Sequence, residues 1–161
     1  MGPIEELLRA LAAKGLTLGS VESLTAGLFG AIAAETPGAS NVYRGGLITY
    51  SAETKTKLAF VPSQLIEDHG VVSAEVAASM AVGGQKALGV DVCLSCTGNA
   101  GPTAEKGSAP VGQVYLGLAY GGNVWTIPLN YEGERNFIRR KTADAMGLFG
   151  LSVFGPKEEK R

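Results

Sequence analysis

The chain has 161 residues, 45% of them apolar and 18% charged, which excludes a disordered polymer and supplies enough apolar side chains for a buried core. A formal net charge of −1 provides no long-range field to draw nucleic acid or an anionic membrane, so a small molecule is the expected partner. No window approaches the roughly 20 apolar residues of a membrane span, and Glu5 and Glu6 stand where a signal peptide carries positive charge. The expectation is one cytoplasmic domain over residues 1–161, with a charged tail from about residue 155 and a homo-oligomer left open.

Ile4, Leu7, Leu8 and Leu11 recur at i, i+3, i+4 and i+7, which predicts an amphipathic helix from about 3 to 14 that stops at Gly15. Leu16 to Glu22 reads as a strand, and Thr25 to about Glu35 as a buried helix broken by Pro37-Gly38. A second strand spans about Gly45 to Tyr50, followed by short helices from Ala52 to Leu58 and Ser63 to Asp68. Ser73-Ala74-Glu75 has the form of an N-cap with an acid in the first turn, and opens a helix that reaches Leu88 and closes at Gly89. Val90 to Cys96 is a buried strand, Gly112 to Tyr120 and Asn123 to Leu129 form a hairpin across Gly121-Gly122, and a last helix covers about Glu134 to Val153. In that helix Ile138, Thr142, Ala145 and Phe149 make a core stripe. The pattern is an α/β fold with a mixed sheet covered on both faces.

Chemistry-bearing residues cluster where apolar runs end. Ser23 stands where a strand hands over to a helix, so its hydroxyl either caps that helix or acts as a nucleophile beside free N–H groups that hold an oxyanion; Thr25 can serve as the cap instead. A serine nucleophile needs a base. The single histidine, His69, would supply a Ser-His arrangement, whereas Lys55, one turn into the helix after Tyr50, places an amine at the same sheet edge. Lys55 serves as a base only if burial lowers its pKa from about 10.4 to roughly 7 or 8; otherwise it is a solvated helix lysine paired with Glu53. Lys57 should face elsewhere and stay solvated.

Thr97-Gly98-Asn99-Ala100-Gly101-Pro102 is either an ordinary glycine turn or a cradle of N–H groups, and it matches neither a P-loop nor a dinucleotide fingerprint. Arg139, Arg140 and Lys141 form the one dense basic cluster, a solvated face or the source of an arginine for an anionic substrate group. Cys93 and Cys96 sit on opposite faces of a strand and read as buried thiols, and no metal site is expected.

Glu22-Ser23-Leu24-Thr25-Ala26-Gly27-Leu28, Tyr43 to Ser51, Lys55, His69 to Ser73, Thr97 to Pro102 and Pro110 to Tyr115 together resemble the CinA C-terminal domain family, the nicotinamide-nucleotide amidases of PncC type, from about Pro3 to Leu151. The resemblance implies a three-layer α/β/α sandwich that hydrolyses nicotinamide mononucleotide to nicotinic acid mononucleotide and ammonia, with no metal and no cofactor. It further implies Ser23 as nucleophile, Lys55 as general base and Tyr50 as the assisting hydroxyl. Substrate binding would fall to Thr25, Gly27, Thr97, Gly98 and Arg140, with Arg139 as the adjacent candidate. The family often has cysteine and glycine where this chain has Leu24 and Ala26, and Ala26 is expected to narrow the pocket. Larger members add an N-terminal domain with a separate pyrophosphatase activity, which is not assigned to this chain. The competing expectation is a non-catalytic module that binds a pyridine nucleotide and reports it to a partner.

Overall fold

The computed structural model describes residues 1–104 and 107–157. Residues 158–161 of the expected charged tail therefore lie outside the described residues. Five strands, β1 (Leu18–Glu22), β2 (Tyr43–Ile48), β3 (Val92–Gly98), β4 (Gln113–Tyr120) and β5 (Asn123–Asn130), form one sheet in the order β2-β1-β3-β4-β5. β1 runs parallel to both neighbours, while β3, β4 and β5 pair antiparallel, so the sheet is mixed as expected.

Helices cover both faces. On one side α1 (Pro3–Lys14), α2 (Leu28–Ala33) and α6 (Arg135–Phe154) close a core that includes Leu7, Leu11, Phe29, Leu94, Leu116, Ile138 and Met146. On the other, α3 (Ala52–Ala59), α4 (Ser63–His69) and α5 (Ala74–Leu88) pack over a smaller core of Val21, Ala59, Val61, Val76, Met80 and Cys93. The predicted stripes point inward: Ile4, Leu7, Leu8 and Leu11 of α1 are buried, as are Ile138, Thr142, Ala145 and Phe149 of α6. Each large aliphatic side chain so buried contributes about 1.5–3 kcal/mol. Cys93 and Cys96 fall in different cores, on opposite faces of β3, and both are free thiols.

The connection from β1 to β2 passes over one face through α2, and that from β2 to β3 over the other through α3, α4 and α5. β1 is therefore the point where the winding reverses, and a crevice opens beyond the carboxyl ends of β1, β2 and β3. No described helix is long and apolar enough to cross a membrane.

The main departure from the predicted elements is α2, which begins at Leu28 rather than near Thr25. Ala26 and Gly27 have φ of 47° and 97°, left-handed values that no α-helix interior adopts, so residues 23–27 form a turn before the helix. By contrast α3 starts where expected, because Ser51 accepts the Thr54 N–H at 3.1 Å while Thr54 Oγ1 accepts the Ser51 N–H at 3.2 Å.

One glycine sets how α3 sits on α5. A Cβ added at Gly83 would lie 1.6 Å from Ala59 O, backbone that has no rotamer by which to yield. Gly83→Ala should therefore destabilise the protein by about 1–3 kcal/mol through overpacking, read as a lower urea midpoint with an unchanged slope.

Candidate active site

Ser23 is the first residue after β1, Thr49 follows β2, and Asn99 and Ala100 follow β3, so the three parallel strands deliver their termini to one crevice. A cleft of about 180 Å³ there is lined by Ser23, Leu24, Tyr50, Lys55, Val71, Gly98, Asn99, Ala100 and Arg135. It shares Tyr50, Val71, Gly98 and Asn99 with a wider groove of about 660 Å³ that extends to Thr103 and Ala109.

Lys55 forms the floor of this cleft. It lies in the first turns of α3, and helical side chains lean toward the N-terminus, which returns its amine to the end of β2. Its Nζ donates to Thr49 O at 2.6 Å and lies 3.0 Å from Ser23 Oγ, and the side chain is fully buried. Among the described residues no carboxylate is paired with it; Glu53, the solvated alternative, is 3.8 Å from Lys57 instead. Removal from water disfavours the ammonium and lowers the Lys55 pKa from 10.5 to about 8, with a small opposing contribution from Cys96. Burial drives the thiols the other way, Cys93 to about 12 and Cys96 to about 11, so neither is a ready nucleophile.

Neither expected cap for α2 is used. The free N–H groups at its start go to Glu22, whose buried carboxylate accepts Phe29 N–H at 2.9 Å and Gly30 N–H at 3.2 Å and receives Ser20 Oγ–H at 3.3 Å. That carboxylate leaves the helix N-terminus with no role as an oxyanion site. Two other N–H groups on the cleft wall, those of Leu24 and Ala100, donate to no described residue.

Several predicted site residues stand elsewhere. Thr25 is fully buried with its hydroxyl 3.2 Å from Cys96 Sγ, and Gly27 precedes α2 against Ile48. Thr97 Oγ1 donates to Val71 O at 2.8 Å, bracing the wall, while Gly98 does line the cleft. Ala26 is exposed and lines no part of the cleft, so it does not narrow it; its effect is on the backbone, where a non-glycine residue with left-handed φ costs about 1–2 kcal/mol. His69 is exposed outside the cleft, with Nδ1 3.7 Å from Glu75.

The arginines are redistributed most. Arg140 is exposed and off the cleft, and Arg135, which sequence reasoning passed over, occupies the rim, donating to Gly101 O at 2.6 Å and to Tyr50 Oη at 2.5 Å. Arg139 faces the Ser23 turn, donating to Leu24 O and Thr25 O. The reason is helical geometry. The core stripe Ile138, Thr142 extends backwards in steps of three to Arg135 and Arg139, whereas Arg140 is turned about 100° further round. That extension was readable from the stripe already identified.

Comparison with known proteins identifies the family and the fold. The family model for the CinA C-terminal domain matches residues 3–151. The chain is 43% identical over 138 residues to a CinA-like protein of Citrifermentans bemidjiense, covering 86% of this chain and 33% of that protein. It is also 43% identical over 133 residues to a putative competence-damage inducible protein of Halothermothrix orenii, covering 82% and 32% respectively. The chain thus spans about a third of the length of these relatives. Among solved structures, the competence/damage inducible protein CihA of Agrobacterium tumefaciens superposes with a TM-score of 0.86 at 30% identity, covering 94% of this chain and 96% of that one. A competence-damaged protein (CinA) superfamily member from Escherichia coli gives a TM-score of 0.85 at 28% identity, over 92% and 88%. The family model over residues 3–151 and relatives at 43% identity lead to one conclusion: this chain belongs to the CinA C-terminal domain family.

Proposed function

We propose that the chain hydrolyses the carboxamide of nicotinamide mononucleotide, releasing ammonia and leaving nicotinic acid mononucleotide. The observation that carries this reading is the buried Lys55 amine 3.0 Å from Ser23 Oγ, with no described carboxylate to keep it charged. An uncharged amine that gives one N–H to Thr49 O has its lone pair available for the Ser23 proton.

In the proposed sequence Ser23 Oγ attacks the amide carbon as Lys55 accepts its proton. The oxyanion that forms is met by the Leu24 and Ala100 N–H groups, and Lys55 then returns the proton to the departing nitrogen, which leaves as ammonia. Water, deprotonated by the same amine, attacks the acyl-serine ester; the acyl–Oγ bond breaks, Lys55 returns its proton to Ser23 Oγ, and the acid product leaves as the carboxylate, its proton passing to solvent. The inner cleft suits a flat ring and the wider groove beyond it the ribose and phosphate, with Arg135 at the rim as the phosphate partner. The Tyr50 hydroxyl accepts from that guanidinium at the rim, which holds the arginine over the cleft.

Ser23→Ala should lower kcat for ammonia release from the mononucleotide by roughly 10³-fold or more with a native circular dichroism spectrum. Tight calorimetric binding by the unmodified protein without ammonia release would favour a binding module instead. The wild-type kcat/KM should rise with pH and level above about 8, as the Lys55 ammonium gives up its proton. Lys55→Met should abolish turnover yet raise stability, because the folded-state pKa is depressed: the cost of burying the ammonium is full below pH 8 and fades between pH 8 and 10.5. Thermal unfolding of both proteins across that window checks the sign. Arg135→Ala should raise KM by roughly 10- to 100-fold, from the about 1.5–3 kcal/mol of a charge-assisted hydrogen bond, and by more than Arg140→Ala does.

A further inference from the structure

The turn that carries Ser23 is anchored at its ends but has an unusual middle. Ser23 N–H donates to Cys96 O at 3.2 Å on one side, and beyond the turn the Glu22 carboxylate holds α2 through Phe29 and Gly30. Between these anchors the carbonyls of Leu24 and Thr25 point toward the same side, and the next residue, Ala26, has φ of 47°. Two neighbouring carbonyl dipoles aimed together repel, and a non-glycine residue in the left-handed region adds about 1 kcal/mol or more. Within the turn Ala26 N–H donates to Ser23 O and Leu28 N–H to Thr25 O, each at 3.0 Å, but no described backbone N–H reaches the Leu24 carbonyl, which is left for a donor from outside to hold.

Arg139 is placed to do so. Its Nε donates to Leu24 O at 2.8 Å, one Nη to Thr25 O at 3.0 Å and the other to Asn136 Oδ1 at 3.2 Å. A planar guanidinium matches two adjacent oxygens in a way an ammonium cannot. Because each peptide unit is flat and trans, fixing the Leu24 carbonyl on the α6 side turns the Thr25 N–H to the opposite side, toward the thiol of Cys96. The turn is thus gripped between α6 and β3, and that grip, together with the Ala26 N–H to Ser23 O bond inside the turn, sets the rotation of the Ser23 and Leu24 backbone.

We infer that Arg139 is a positioning residue for catalysis, a clamp from α6 that keeps Ser23 Oγ on Lys55 and the Leu24 N–H turned to the cleft, and that it does not bind the substrate. This rests on Ser23 being the nucleophile. A shift of about 1 Å in a reacting atom can cost about 10²-fold in rate.

The test measures steady-state ammonia release and, separately, the rate at which a fluorophosphonate labels Ser23, for wild type, Arg139→Ala and Arg139→Lys. Both variants should lose about 10²-fold in kcat and a comparable factor in labelling rate, with KM within about threefold of wild type, and added guanidinium should restore part of the Arg139→Ala rate. Arg139→Lys keeps the charge and supplies a folded comparison if Arg139→Ala melts below the assay temperature. A raised KM with unchanged kcat would make Arg139 a substrate ligand and overturn the inference, as would labelling at the wild-type rate in both variants. Wild-type protein that never labels at Ser23 would instead remove the nucleophile, and the clamp with it.

Discussion

A lysine whose side chain is wholly withdrawn from water, with a carbonyl and a hydroxyl as its hydrogen-bond partners among the described residues, is the constraint around which this molecule is arranged. Proteins rarely bury an ammonium without a carboxylate, because its hydration must be replaced. Here no described carboxylate replaces it, so burial lowers the pKa from 10.5 to about 8 and shifts the balance toward the uncharged amine, the form that can take a proton from a serine. The site gains its chemistry from an arrangement that costs the fold stability, a trade frequently met where function needs an unfavourable group.

The fold makes that arrangement possible by bringing three strand ends to one place. Lys55 reaches the crevice because the Ser51–Thr54 cap fixes where α3 begins, and α3 is pressed onto α5 at the Gly83–Ala59 approach. Ser23 arrives from β1, the central parallel strand, and the glycine turn after β3 supplies the opposite wall. α6 crosses the crevice from the far side and contributes two arginines one turn apart, one at the rim and one behind the nucleophile turn. α3 and α5 are thus held in one core and α6 in the other, and the site lies at the strand ends between them.

Much of this was legible in the sequence where the cause is local. The period of Ile4, Leu7, Leu8 and Leu11, the Ser73 cap, the Gly121-Gly122 hairpin and the break after Leu88 are short-range signals, and the structure has an element at each. The start of α2 was not legible, because its cap is the carboxylate of Glu22, seven residues back from Phe29, and depends on how the intervening turn folds. The proximity of Ser23 and Lys55 could be anticipated from their strand ends, but the absence of a counter-ion could not, since Glu53 sits two residues away and its choice of Lys57 is settled by which way the helix faces. The arginine at the rim was misplaced because a basic cluster draws attention by composition, whereas the side that faces the crevice follows from the stripe through Ile138 and Thr142.

The central claim, an amine at position 55 whose pKa burial lowers far enough to give a reactive uncharged fraction near neutrality, is open to direct observation. Titration of the Lys55 Nζ and Cε signals by heteronuclear NMR, assigned by comparison with Lys55→Met, reads its protonation without any assumption about substrate. The account predicts a midpoint near 8, set by burial. A midpoint near the 10.5 of a solvated lysine would mean that the group stays an ammonium and cannot act as the base for Ser23.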